Sequence, residues 1–66
     1  MKICDFTQTE ADYLETVCNF TKEENMLFQL RLKDMPLEDC AEKMNRSLDS
    51  VKQLSRKVND KIKREI

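Results

Sequence analysis

The chain has no glycine and only one proline among its 66 residues, and this limits what it can fold into. Glutamate, lysine and leucine, which form helices readily, are abundant instead. A composition of this kind favours an all-helical domain over a sheet. The length leaves room for one domain with a small core. We therefore expect a single all-α domain over residues 1–66.

Capping residues divide the first half of the chain into a short lead-in and two helices. Thr7 or Thr9 can cap a first helix that runs to about Asn19. Residues 21–24, Thr-Lys-Glu-Glu, form a capping box, in which the threonine hydroxyl and the glutamate carboxylate each accept a backbone N–H. This box predicts a second helix that ends near Lys33.

The second half contains two further amphipathic segments, which begin after a break at Pro36. The third helix has apolar residues at i, i+3, i+4 and i+7, namely Leu37, Cys40, Ala41 and Met44. Ser47 can cap a fourth helix over about 48–65, whose apolar stripe is Val51, Leu54, Val58 and Ile62. The periodicity predicts a core that includes Leu14, Leu27, Leu30, Cys40, Ala41, Val51, Leu54 and Val58.

The residue types that usually carry catalysis or bind metals are scarce in this sequence. It has no histidine, no Cys-x-x-Cys pair and no glycine-rich phosphate loop. Cys18 and Cys40 fall on apolar stripes and are expected to be buried thiols. We expect no metal, no cofactor and no enzymatic activity. The sequence also has no apolar run near the ~20 residues of a membrane span and no signal peptide, which predicts a cytoplasmic protein.

The joint between the third and fourth helices has the features of a helix-turn-helix. Such a motif needs a small residue where its helices cross, and Ala41 can fill that place. Asn45 can adopt the left-handed backbone usually given to glycine at a helix end. Val51 and Leu54 can then lock the fourth helix onto the third. We predict a helix-turn-helix with its turn near 45–47. The alternative is a plain helical hairpin in a mini-bundle.

Charge is distributed unevenly along the chain. Residues 1–42 carry a net charge of −6 and residues 43–66 a net charge of +5. A basic last helix on an acidic body indicates a contact between that helix and a polyanion. The alternative is a solvated helix with mixed charges.

Residues 19–62 resemble region 4 of bacterial sigma factors, the helix-turn-helix that reads the upstream promoter element, and small phage or mobile-element proteins made of that domain alone. The matching pieces are Phe20-Thr21-x-Glu23-Glu24, Phe28-x-Leu30-Arg31, Ala41, Ser47-x-x-Ser50-Val51-Lys52 and Lys61-Ile62. The usual Glu-Ile before the alanine is Asp39-Cys40 here, and the usual turn glycine is Asn45. The resemblance implies a DNA-binding transcriptional regulator or accessory factor, which RNA polymerase can hold.

A second resemblance is to Myb/SANT-like domains, which open with Trp-Thr-x-Glu-Glu-Asp and close with Arg-Ser-x-x-x-Val-Lys. Phe20 to Asn25 and Arg46 to Lys52 follow these patterns, although the chain has no tryptophan. Both resemblances imply a helix that enters the major groove of double-stranded DNA.

The fourth helix supplies the candidate DNA contacts. Lys52, Gln53 and Arg56 face away from the apolar stripe and suit guanine and adenine edges. Arg46 is a further candidate DNA contact. The expected phosphate contacts are Ser47, Ser50, Lys57, Lys61, Lys63 and Arg64. The competing hypothesis is a helical interaction module without DNA binding. In that case the acidic first half, with Glu10, Asp12, Glu15, Glu23 and Glu24, meets RNA polymerase or a second copy of the chain.

Overall fold

Helices account for most of the chain. The computed structural model describes residues 3–65. Within these residues it contains no strand but a 3-10 turn and four α-helices: the turn Ile3–Asp5, α1 Gln8–Val17, α2 Lys22–Leu32, α3 Leu37–Met44 and α4 Leu48–Glu65. The expected small all-α domain of four helices is confirmed. Residues 1 and 66, the predicted limits of the domain, lie outside the described residues.

The first two helices begin in the same way, with a threonine cap and a glutamate three residues later. In α1, Thr7 Oγ1 accepts a hydrogen bond from the Glu10 N–H at 3.2 Å, and the Glu10 carboxylate accepts one from the Thr7 N–H at 2.9 Å. Thr21 and Glu24 repeat both bonds at the start of α2. These bonds satisfy N–H groups that have no partner inside the helix. The capping box at 21–24 is confirmed, and Thr7 is the residue that caps α1.

Polar residues take the left-handed backbone positions at which glycine is usual. In the described part of the chain the non-glycine residues with positive φ are Asn19 at 51°, Asp34 at 61° and Asn45 at 55°. At the end of α3, the Arg46 N–H donates to Ala41 O at 2.9 Å and the Asn45 N–H donates to Glu42 O at 3.2 Å. This pair of bonds is the Schellman arrangement, which requires left-handed backbone at the residue after the helix. The left-handed conformation predicted for Asn45 is confirmed.

Substitutions at Asn45 test whether this turn needs a residue that tolerates left-handed backbone. Asn45→Gly should be at least as stable as the parent, because glycine has no Cβ to clash in left-handed backbone. Asn45→Ala should lose about 1 kcal/mol, since alanine tolerates that conformation less well than asparagine. Urea unfolding followed by circular dichroism measures both. Exposed Asn25, inside α2, is the matched control: there the alanine variant should be the more stable of the two. The prediction would be contradicted if the same variant, glycine or alanine, were the more stable one at both positions.

The core draws side chains from every helix and from the 3-10 turn. Its fully buried members are Leu27, Phe28, Cys40, Val51, Val58 and Ile62, and its other buried apolar members are Ile3, Ala11, Leu14, Cys18, Ala41 and Leu54. The predicted core is confirmed with one exception. Leu30 is half-buried and packs against the cluster from outside, and Phe28 is the second fully buried residue of α2.

The longest helix, α4, spans nearly the whole molecule. Its 18 residues extend about 27 Å at 1.5 Å per residue, and the molecule measures about 29 × 19 × 18 Å. It packs against α1, α2 and α3. Its buried side chains follow the predicted spacing of three, four and four: Val51, Leu54, Val58 and Ile62. No helix within residues 3–65 combines the length and the apolarity needed to cross a membrane.

Candidate nucleic-acid interface

The connection between α3 and α4 is short and internally bonded. It consists of residues 45–47, and Ala41 is buried beside it. Ser47 Oγ accepts a hydrogen bond from the Ser50 N–H at 3.2 Å, which makes Ser47 the cap predicted for α4. The Ser47 carbonyl accepts the Val51 N–H at 3.1 Å. Together with the turn at Asn45, these bonds fix the direction in which α4 leaves the joint.

Two of the predicted DNA contacts, Arg46 and Ser50, are bonded to each other. Arg46 Nη1 donates to Ser50 Oγ at 2.7 Å, and its Nη2 forms an ion pair with Glu23 at the start of α2. The Glu23 side chain is more than half exposed, so the pair contributes at most about 1 kcal/mol. Any contact of Arg46 with DNA has to compete with the carboxylate of Glu23. Ser47 is exposed, but its hydroxyl serves as the helix cap.

Lys61 lies in a different environment from the other basic residues of α4. Its Nζ is 2.5 Å from Glu24 Oε1 and 3.5 Å from the Asn19 carbonyl oxygen. The side chain of Glu24 is only 5% exposed, and that of Lys61 is 28% exposed. The sequence places Lys61 among the phosphate contacts. In the structure it instead links the C-terminal half of α4 to the first turn of α2.

The carboxylate of Glu24 stays charged because of these bonds. Burial alone raises its pKa, but the hydrogen bond from Lys61 and the one from the Thr21 N–H outweigh this effect. The pKa of Glu24 is therefore lowered below its ordinary value. The same carboxylate thus caps α2 and anchors α4.

Five further candidate contacts on α4, four of them basic, point to solvent. Lys52, Gln53, Arg56, Lys57 and Lys63 are all exposed. Within residues 3–65, none of these five side chains makes a hydrogen bond or an ion pair. Segment 52–57 contains no acidic residue, whereas exposed Asp49 and Asp60 lie on either side of it. Segment 52–57 therefore carries three positive charges and no negative charge.

Helical spacing arranges these side chains in two rows. Lys52, Arg56 and Lys63 lie at i, i+4 and i+11, along one edge of the outer face. Gln53, Lys57 and Arg64 repeat this spacing one residue later. The rise from Lys52 to Lys63 is about 16 Å, comparable with the ~12 Å width of a DNA major groove. The face of α4 that carries these rows can meet a groove while its opposite face, with Val51, Leu54, Val58 and Ile62, stays packed.

Two of the cysteines are structural. Cys18 Sγ lies 3.5 Å from the Lys61 carbonyl oxygen, and Cys40 Sγ lies 3.7 Å from that of Met35. Burial is the main cause that raises the pKa of both thiols, which keeps them protonated and poorly nucleophilic. Within residues 3–65, no group of three or more Cys, Asp or Glu side chains could hold a metal ion.

Sequence reasoning did not identify the ion pairs of Arg46 and Lys61, because their acidic partners lie 23 and 37 residues away in the chain. Glu24 could be recognised as a capping residue, but its burial depends on how α4 packs over α2.

No protein-family model, no curated protein and no solved structure matches this chain.

Proposed function

We propose that the chain binds double-stranded DNA through the outer face of α4 and acts as a transcriptional regulator or accessory factor. The observation that carries the proposal is the set of exposed side chains Lys52, Gln53, Arg56, Lys57 and Lys63, none of which bonds to another described residue. Lys61 and Arg46 have structural partners, whereas these five do not. A row of unpaired cations on one helix face is typical of a nucleic-acid contact.

The proposal assigns different roles to different parts of α4. Lys52, Gln53 and Arg56 lie in the first turns, where groove-entering helices contact base edges. Arginine and lysine suit guanine, and glutamine suits adenine. Lys57 and Lys63 lie further along and would contact phosphates. Ser47, Ser50 and Arg46 at the start of the helix would also face a phosphate, once Arg46 is released from Glu23.

The resemblance of residues 19–62 to sigma factor region 4 supports this function. It also suggests RNA polymerase as a partner and the cytoplasm as the site of action. The resemblance to Myb/SANT-like domains is the second choice, and it also implies DNA binding by this helix. One helix-turn-helix contacts few base pairs, so tight binding is expected to need a homodimer or a neighbouring protein such as the polymerase.

Selection of bound duplexes from a random DNA pool tests the proposal. We expect one short sequence family to be enriched, with an affinity that falls steeply as salt rises. Enrichment of no sequence, together with no binding to a generic duplex at low salt, would contradict the proposal. It would favour the hypothesis of an interaction module.

Two substitutions in α4 should weaken DNA binding in different ways. Arg56→Ala should cost ~1–3 kcal/mol on the selected duplex and relax the preference at one base pair. Lys63→Ala should weaken all duplexes alike and lower the salt slope by about one unit. Fluorescence polarisation on selected and mismatched duplexes over a salt series measures both effects.

The control removes a positive charge from another helix. Lys22 is exposed at the start of α2, so Lys22→Ala changes the net charge by the same amount without touching α4. Its affinity should stay close to that of the parent. If Lys22→Ala and Arg56→Ala lose affinity equally on every duplex, α4 does not read the sequence.

A further inference from the structure

An apolar groove of about 560 Å³ lies at the C-terminal end of α4. Its lining residues come from the chain before α1, from α1 and from the end of α4: Phe6, Thr9, Glu10, Tyr13, Leu14 and Glu65. Tyr13 is 56% exposed and Met26 is 44% exposed, and among the described residues these are the large apolar side chains that are exposed rather than half-buried. An aromatic ring left in solvent beside a groove is typical of an interaction site.

The charged side chains described in the lining of this groove are carboxylates. Glu10 and Glu65 line it, and among the described residues none of its lining side chains is basic. Helix α1 carries Glu10, Asp12 and Glu15 and no basic residue. Within residues 3–65, no ion pair involves these three carboxylates, whereas Glu23 and Glu24 are paired with Arg46 and Lys61. Helix α1 therefore carries three carboxylates without a cationic partner in the described chain, and one of them, Glu10, lines the groove.

We propose that this groove is a docking site for a short basic amphipathic helix of a partner protein. The apolar residues of that helix would pack against Phe6 and Leu14, and its lysines or arginines would meet Glu10 and Glu65. The exposed ring of Tyr13 can accept a cation on its face or an aliphatic side chain at its edge. The choice of a basic partner follows from charge complementarity, because the two charged side chains described in the lining, Glu10 and Glu65, are both acidic.

This site goes beyond the proposed DNA binding and does not depend on it. Glu65 lies about 12 Å along the helix axis from Lys57, where the basic segment 52–57 ends. A helix in the groove would therefore leave that segment exposed. Base contacts by segment 52–57 are therefore compatible with docking in the groove, whereas Lys63, a proposed phosphate contact, lies only two residues before Glu65.

A synthetic peptide provides the probe. It is a helix of about 12–15 residues with leucines at i, i+3 and i+7 and lysines between them. One control peptide has the same composition in scrambled order, and a second has glutamate in place of lysine. In NMR titrations of the labelled protein we expect the basic amphipathic peptide to shift the amides of Phe6, Thr9, Tyr13 and Glu65, and the control peptides to leave them unchanged.

Matched variants of the protein separate the groove from general charge. Tyr13→Ala should weaken peptide binding about tenfold, whereas Met26→Ala, which truncates the other exposed large apolar side chain, should not. Glu10→Gln should weaken it about threefold and still cap α1, because glutamine serves in a capping box. Glu38→Gln, an exposed charge on α3, should have no effect. DNA binding should be the same in all four variants.

Several outcomes would overturn the proposal. Equal binding of the scrambled peptide, or shifts spread over all acidic residues, would show unspecific charge attraction. Binding of the glutamate peptide would exclude a basic partner. Shifts at Tyr13 that grow with protein concentration in the absence of peptide would identify a second copy as the occupant. No shift at millimolar peptide would mean that the groove does not take a helix. A failure of DNA binding would leave each of these results unaffected.

Discussion

Replacing Phe28 by alanine should leave much of the protein unfolded. Phe28 is fully buried at the centre of the core, and its ring lies 5.1 Å from that of Phe20 at an angle of 42°. Truncating a buried phenylalanine costs ~3–5 kcal/mol, the sum of the lost transfer free energy and the cavity left behind. At about 0.05–0.15 kcal/mol per residue, a chain of this size has only ~3–10 kcal/mol of stability in total. Circular dichroism during urea unfolding measures the loss.

Two further variants make this test quantitative. Phe28→Leu keeps an apolar side chain, so it should remain folded and show a smaller loss. Met26 lies on the same helix, but its side chain is 44% exposed. Met26→Ala should therefore change the free energy of unfolding by no more than about 0.5 kcal/mol. If Phe28→Ala proved as stable as Met26→Ala, α2 would not occupy the centre of the core.

Replacing Lys61 by methionine should destabilise the protein by about 1–3 kcal/mol at neutral pH. The substitution keeps most of the aliphatic side chain but leaves Glu24 as a buried carboxylate without its cation. Lys63→Met is the matched control, because Lys63 is exposed and has no partner among the described residues. It should change stability little. An equal loss of stability in Lys61→Met and Lys63→Met would contradict the structural role assigned to Lys61.

The same pair of residues predicts a pH dependence. The folded pKa of Glu24 is lowered, so the unfolded chain, with an ordinary value of about 4.3, binds its proton first as pH falls. The stability that Glu24 contributes is complete above that unfolded value and is lost as pH falls through the folded pKa. In Lys61→Met, only the hydrogen bonds from Thr21 oppose the rise that burial causes in the pKa of Glu24. The stability lost by this variant on acidification should therefore be smaller than that lost by the parent.

Urea unfolding of parent, Lys61→Met and Lys63→Met between pH 7 and 3 tests this prediction. Comparing each variant with the parent at the same pH separates the effect of this pair from acid effects common to all three proteins. The difference in stability between parent and Lys61→Met should therefore narrow as the pH falls, while the difference between parent and Lys63→Met stays nearly constant. If the difference in stability from the parent did not change with pH for either variant, the ion pair between Lys61 and Glu24 would be contradicted.

The sequence by itself determined the features that depend on near neighbours. The caps at Thr21 and Ser47, the left-handed turn at Asn45 and the inward stripe of α4 were all predictable. Each rests on residues within about one helical turn, or on a periodicity of 3.6 residues that one helix displays alone. The exposure of Lys52 and Arg56 followed directly, because packing Val51 and Val58 inward turns them outward.

Only the tertiary structure decided which side chains of α2 are buried and which charges of α4 are paired. Helix α2 packs against the 3-10 turn, α3 and α4, so more than one of its sides is covered and its apolar residues form no single stripe. This is why Phe28 is fully buried, Leu30 is half-buried and Met26 is exposed. Lys61 and Lys63 are the same residue type two positions apart, yet Lys61 alone meets Glu24. That difference exists only because α4 crosses the start of α2 on the side to which Lys61 points.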